Sequence, residues 1–320
     1  MAESIVVGCG SAVVERETGH GALFPFRRVR SVEELPVREF QLGTMTISAI
    51  VVEGIGRPVL FLHGNSSCKE IWSHQIEAMR LRGRPVVAPD LPGHGRSSNA
   101  RDPSSIYSFP GYAAVVGELL DKLNWTSVDV VGWSLGGHIG LELLATDDRV
   151  RSLAIVGTPP ARPCYEALED AFHATPKMQL TGKRDFTKSD ALAYATSMLG
   201  GDAWVSRHHL DGVRRTDGDA RHYMLSNALK GRGVDQRRLV ESDDTRLCVM
   251  HGEKDPFVRL DYLMSLDYRN LWTDRVHIFS GAGHAPHWQY PVKFNEVICA
   301  FLSEKSIVPE AVDHTPPLSL

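Results

Sequence analysis

The chain has 320 residues and a mass of 35.4 kDa, enough for one large α/β domain with an insertion or for two ordinary domains. Hydrophobic residues make up 42% and aromatic residues 8%, the composition of a globular protein, and 35 basic against 39 acidic side chains leave a formal net charge of −4. So balanced a charge offers no field that would collect nucleic acid or anionic lipid, and polyanionic partners are excluded from the expectation.

Residues 1–35 show no period and read as an N-terminal extension. Glu3 stands where a signal peptide wants lysine or arginine, and Gly8, Gly10 and Ser11 break the apolar run, so export is not expected. No apolar stretch has the length needed to span a bilayer. Cys9, Cys68, Cys164, Cys248 and Cys299 are scattered without a CxxC pair, which points away from a zinc site or a disulfide framework. The expectation is a cytoplasmic protein with no metal, no cofactor and no membrane partner; the sequence does not specify an oligomeric state.

Next, "REFQLG" and "MTISAIVVEG" form a predicted hairpin turning at Gly43, and "RPVLFLHG" is a continuous apolar run of the kind buried in a parallel sheet. In "EIWSHQIEAMRLRG", Ile71, Gln75, Ile76, Met79 and Leu81 fall on helical spacing, with Gly83 as the stop. Strand and helix signals then alternate: "PVVAPD", "GYAAVVGELLDKLN", "VDVVGW", "GGHIGLELLA" and "VRSLAIVG". Such alternation implies βαβ units and a mostly parallel sheet flanked by helices. Residues 36–157 form the first part of the core domain. From 158 to 241 the pattern is helical, charged and without good strands, and is read as an inserted cap. Strand signals return in "TRLCVMHG" and "DRVHIFSGAGH" and a helix in "VKFNEVICAFLSE", completing the core over 242–304; the proline-rich residues 305–320 read as a flexible tail.

Ser134 lies in Gly132-Trp133-Ser134-Leu135-Gly136, a GxSxG placed directly after an apolar strand and before a helix. A strand that turns sharply into a helix would hold the serine on a strained bend above the helix N-terminus, with glycines removing side chains that would clash. A serine hydroxyl is a poor nucleophile and needs a base with an orienting group. "SGAGHAP" offers His284 after the last strand, and "HGEKDPF" offers Asp255 after the preceding one. The order Ser134, Asp255, His284 suits an α/β-hydrolase arrangement rather than those of the two best-known serine protease folds. An oxyanion would be met by the Leu135 N–H and by Asn65 in the loop after "VLFLHG"; Asn65 could instead hold that loop through an Asx-turn. His63 is expected to support the same loop, His287 to be a weaker base candidate near the pocket, and Asp90 to cap a turn. Asp261 and Glu253 read as solvated groups, and His74, His208, His209, His222 and His277 as structural or surface histidines.

"LHGNSS", "VVAPDLPGHGRSS", "GWSLGGHIGLELL", "GTPP", "HGEKDPFV" and "GAGHAP" stand in an order that resembles the α/β-hydrolase superfamily from Arg38 to Glu304. "HGNSS", "GWSLGGHIG", "GTPP", "RTDG", "DPFV" followed by "LDY", "NLW" and "GHAP" resemble, more particularly, the quorum-quenching N-acyl-homoserine lactonases of that fold. The resemblance implies Ser134 as nucleophile, His284 as base, Asp255 as acid, Asn65 and Leu135 at an oxyanion hole, and Tyr194 facing a small ester or lactone substrate. Under that expectation the cap and the sheet edge enclose an acyl pocket, with Trp133, Met178, Leu180, Tyr194, Met198, Trp204 and Phe257 as candidate lining. The rival readings are a general carboxylesterase, a carbon–carbon bond hydrolase of the same fold, and a non-catalytic small-molecule receptor.

Overall fold

Eight strands form one sheet: β1 (Val37–Leu42), β2 (Met45–Val52), β3 (Val59–Leu62), β4 (Val86–Pro89), β5 (Val128–Trp133), β6 (Val150–Val156), β7 (Arg246–Gly252) and β8 (His277–Phe279). They come from a computed structural model that describes residues 35–303, so the expectations for the extension, but for Leu35, and for the tail fall outside it. The strand order is β1-β2-β4-β3-β5-β6-β7-β8. β2 runs antiparallel to β1 and β4, and every pairing from β4 to β8 is parallel. The turn between β1 and β2 passes through Gly43 at φ 53°, a conformation open to glycine at little cost. β3, β4 and β5 are buried at every position, as a parallel strand covered on both faces must be, which is why they read as unbroken apolar runs.

Among the described residues, twelve α-helices accompany the sheet: α1 (Ser73–Leu81), α2 (Pro103–Ile106), α3 (Phe109–Lys122), α4 (Leu135–Thr146), α5 (Tyr165–Ala171), α6 (Lys188–Leu199), α7 (Arg207–Arg215), α8 (Gly218–Leu229), α9 (Gln236–Ser242), α10 (Leu260–Met264), α11 (Pro286–Gln289) and α12 (Pro291–Leu302). α3 packs on α4, and α1 on α12. The excursion between β6 and β7 contains α5 to α9 and no named strand. Its helices carry their own start signals: Thr187 with Asp190 and Ser206 with His209 form reciprocal caps on α6 and α7, and α6 stops at left-handed Gly200.

Leu81 departs from expectation. Helical spacing counted from Ile71 puts it on the buried face, yet it is 70% exposed. Lys69–Trp72 forms a tighter 3₁₀ turn and the α-helix begins only at Ser73, so a count begun at Ile71 runs out of phase.

Asp90, at the end of β4, exceeds the turn-capping role expected of it. It accepts the Lys69 N–H at 2.8 Å, the Lys69 Nζ at 2.7 Å and the Arg96 N–H at 2.8 Å, with both the Lys69 and Asp90 side chains buried. His63 completes this corner: its Nδ1–H donates to the Gly64 carbonyl at 2.8 Å, and its Nε2 accepts the Leu91 N–H at 3.0 Å. Asp90→Ala would strand a buried ammonium, with Glu70 at 3.0 Å as its remaining partner. The expected loss is about 3 kcal/mol, read as a lower urea midpoint with an unchanged slope.

Candidate active site

The carboxyl edge of the sheet gathers the chemistry. β5 ends at Trp133 and α4 begins at Leu135, so the whole reversal falls on Ser134, at φ 53° and ψ −115°. Such a conformation costs a non-glycine residue of order 1–3 kcal/mol and persists only where the surroundings over-determine it. They do so here: the Ser134 N–H donates to the Val156 carbonyl at 2.8 Å, while its own carbonyl accepts from the Gly137 N–H at 2.9 Å and the Thr158 hydroxyl at 3.0 Å. A Cβ on Gly132 would collide with the Gly136 carbonyl, and one on Gly136 with the Leu62 carbonyl. The two glycines therefore let helix and strands close up beneath the serine.

Asp255 follows β7 and His284 follows β8. The His284 Nδ1–H donates to Asp255 Oδ2 at 2.6 Å, and Asp255 Oδ1 accepts the N–H groups of Phe257 at 2.8 Å and Val258 at 3.1 Å. Burial opposes ionisation of this carboxyl, but His284, His251 and the Phe257 N–H outweigh it and hold Asp255 below the usual carboxylate range. His284 is fixed further by Trp133, whose indole N–H donates to the His284 carbonyl at 2.7 Å, and by Phe257, edge-on to the imidazole at 5.0 Å. Gly157, at φ 54° after β6, leaves room for the pair: a Cβ there would lie 3.0 Å from the imidazole.

Ser134 and His284 line one cavity of about 600 Å³ with Asn65, Leu135, Tyr194 and Phe257. The Leu135 N–H opens α4 and is among the donors a helix start leaves unpaired. Asn65 lines the cavity, and its side chain reaches across to the helical excursion. Its side-chain amide donates to the Thr181 carbonyl in the helical excursion at 2.9 Å, and Ser66 Oγ donates to its Oδ1 at 3.3 Å. The side chain thus ties the loop after β3 to the excursion.

Met178, Met198, Tyr194 and Phe257 line the cavity as expected, but Trp133, Leu180 and Trp204 do not. Trp133 is buried behind His284, where the period of a strand covered on both faces could not show it pointing. Leu180 packs against the core and Trp204 is exposed. His287 is also displaced from the pocket: it is fully buried, stacked on Trp72 at 4.3 Å, and pushed well below the usual histidine range by burial. Two further polar residues stand out in the structure. His138 lines the cavity one turn beyond Ser134, a position its place in "GWSLGGHIG" could have signalled. Arg221 in α8 is buried, donating to the carbonyls of Lys183 at 2.8 Å and Arg184 at 2.9 Å and to Ser66 Oγ at 3.4 Å, with its guanidinium over Phe186.

A sheet of this order with its chemistry at the carboxyl edge defines an α/β-hydrolase, and a family model described as alpha/beta hydrolase fold matches residues 57–202. The chain belongs to that family and is an enzyme of the hydrolase class. In particular, it is 37% identical to the N-acyl homoserine lactonase AidH, with a TM-score of 0.79 over 83% of this chain and 97% of that one, in a mutant complexed with N-hexanoyl homoserine lactone. A second AidH structure at the same identity holds N-butanoyl homoserine. The 2-hydroxy-6-oxononadienedioate/2-hydroxy-6-oxononatrienedioate hydrolase of Cupriavidus pinatubonensis is 25% identical, over 76% of this chain and 86% of its own length. The Arabidopsis thaliana protein PHYLLO, chloroplastic, is 23% identical over 86% of this chain, which spans 17% of PHYLLO. Among the described residues, no helix is long and apolar enough to cross a membrane.

Gly157→Ala should press on the imidazole and displace it by a fraction of an ångström. The expected result is a fall in turnover of roughly 10–100-fold with little change in far-UV circular dichroism. Because the Asp255 pKa is depressed on folding, its contribution to stability is full above the unfolded value of about 3.9 and is lost as pH falls through the folded value. Asp255→Asn should therefore be less stable than the parent at pH 7, with the gap in urea midpoint closing below about pH 4.

Proposed function

We propose that this protein is a serine-dependent hydrolase that opens the lactone ring of N-acyl-homoserine lactones, a quorum-quenching activity. The observation that carries the reading is the buried Asp255–His284 hydrogen bond of 2.6 Å in a cavity shared with the strained Ser134. The likeness to AidH, complexed in one structure with a lactone and in another with an acyl homoserine, supports the substrate class. N-butanoyl homoserine is what water and the corresponding lactone yield.

In this reading residues 158–241 are a cap, and the apolar cavity beneath it takes the acyl chain. His284 Nε2 accepts the Ser134 proton as Oγ attacks the ring carbonyl, and Asp255 holds the imidazole in the tautomer that presents Nε2 and stabilises the imidazolium. The backbone N–H groups of Leu135 and Asn65 take the developing oxyanion. Collapse expels the ring oxygen, which takes the proton from His284 and stays tethered to the acyl-enzyme as a hydroxyl. A water deprotonated by His284 then releases N-acyl-homoserine and restores Ser134.

Wild-type protein and Ser134→Ala, incubated with acyl-homoserine lactones and with simple aryl esters, separate the alternatives by product mass. Ring-opened product from the wild type, reduced about 10⁴-fold or more in the variant, is the expected outcome. Fatty acid with intact homoserine lactone would show amide cleavage and defeat the assignment, as would turnover of aryl esters alone. Tight binding without turnover would identify a receptor.

A further inference from the structure

His138 stands on α4 one turn past Ser134, about 6 Å along the helix axis, and its N–H donates to the Ser134 carbonyl at 3.2 Å. Its ring stacks on Phe109 with centroids 4.6 Å apart and 8° between planes, and both residues line the cavity. The two ring nitrogens meet different surroundings. Gln236, buried at the start of α9, donates through its amide nitrogen to the His138 carbonyl at 3.2 Å and also bonds the carboxylate of Glu142. Glu142 itself is held by the Val234 N–H at 2.9 Å. With its donors committed, the Gln236 oxygen is what faces His138 Nδ1 at 2.7 Å, so Nδ1 carries the proton. Nε2 is then a bare lone pair, with no partner among the described residues. Burial lowers the pKa of the ring to about 4, so the lone pair persists at neutral pH.

A fixed acceptor in the wall of a largely apolar cavity favours an occupant that can donate to it, whether water or a ligand hydroxyl. We propose that His138 Nε2 accepts a hydrogen bond from a hydroxyl on the acyl chain of the substrate, making the site selective for β-hydroxyacyl over β-oxoacyl and unsubstituted chains. The inference rests on the lactonase reading for the identity of the scaffold. The amide N–H of an acyl-homoserine lactone sits beside the ring and close to the attacked carbonyl, whereas a β-hydroxyl lies further along the chain, and His138 lines the same cavity one helical turn from Ser134. A β-oxo group has only lone pairs to present to Nε2 and is disfavoured. Gln236 acts here as a positioning residue, because it decides which nitrogen is bare.

The test compares kcat/KM for β-hydroxyacyl, β-oxoacyl and unsubstituted acyl-homoserine lactones of one chain length. Wild type should favour the hydroxyl by roughly tenfold over the oxo form, and His138→Phe, which keeps the stack on Phe109 but has no acceptor, should level the three. Gln236→Leu frees the ring to carry its proton on Nε2 and should move the preference toward the oxo chain, which a merely structural role would not do. A wild-type enzyme that opens all three rings equally, or a preference unchanged by His138→Phe, overturns the proposal. Calorimetric binding of the same three lactones to Ser134→Ala requires no turnover. A hydroxyl preference there, without ring opening by the wild type, would sink the lactonase reading and leave the role of His138 standing.

Discussion

At Ser134 the backbone must leave a buried strand and enter a helix within one residue, and the rest of the site is arranged around that reversal. The bend is held on both sides, by the Val156 carbonyl on its N–H and by Gly137 and Thr158 on its carbonyl. β5 lies between β3 and β6, so the Val156 anchor belongs to the middle of the sheet, the part least able to yield, while Gly137 in α4 and Thr158 just after β6 hold the other side. The serine side chain emerges half-buried from a sequence that is otherwise fully buried for several residues on either side. The strain is thus shared by the interior strand β6, the first turn of α4 and the residue after β6.

The electrostatics follow the same economy. His63, His94, His138, His251 and His287 are all buried with their pKa values driven down, chiefly by desolvation. His284 differs from them in having a buried carboxylate at hydrogen-bond distance, whereas His251 lies 3.7 Å from the same oxygen. Among the described residues, His284 and His251 are the histidines paired with a carboxylate, and only His284 lies within hydrogen-bond distance of it. Arg221 shows the opposite solution for a buried charge: its guanidinium is satisfied by carbonyls and an aromatic face, so the cation is retained while burial lowers its pKa.

Much of this was legible from the residues. The hairpin at Gly43, the parallel strands and the serine between β5 and α4 follow from periodicity and glycine placement, because those signals are local. Asp255 and His284 were legible because each follows its own strand and so must arrive at the same edge of a parallel sheet. Trp133 was misplaced because β5 is buried on both faces and has no alternation to tell cavity from core. Leu81 was misplaced because a 3₁₀ turn shifts the phase. The links of Asn65 to Thr181, His138 to Gln236 and Ser66 to Arg221 join residues 98 to 155 positions apart, and no local period encodes them.

The Asn65–Thr181 bond bears on how a ligand gets in and out. It ties the loop after β3, which the proposed mechanism uses to meet the oxyanion, directly to the helical excursion that roofs the cavity. Lifting the roof near Thr181 would break that tie and free the loop that carries one of the two proposed donors. Under that mechanism, a shift at Thr181 is felt at the loop after β3 through the side chain of Asn65.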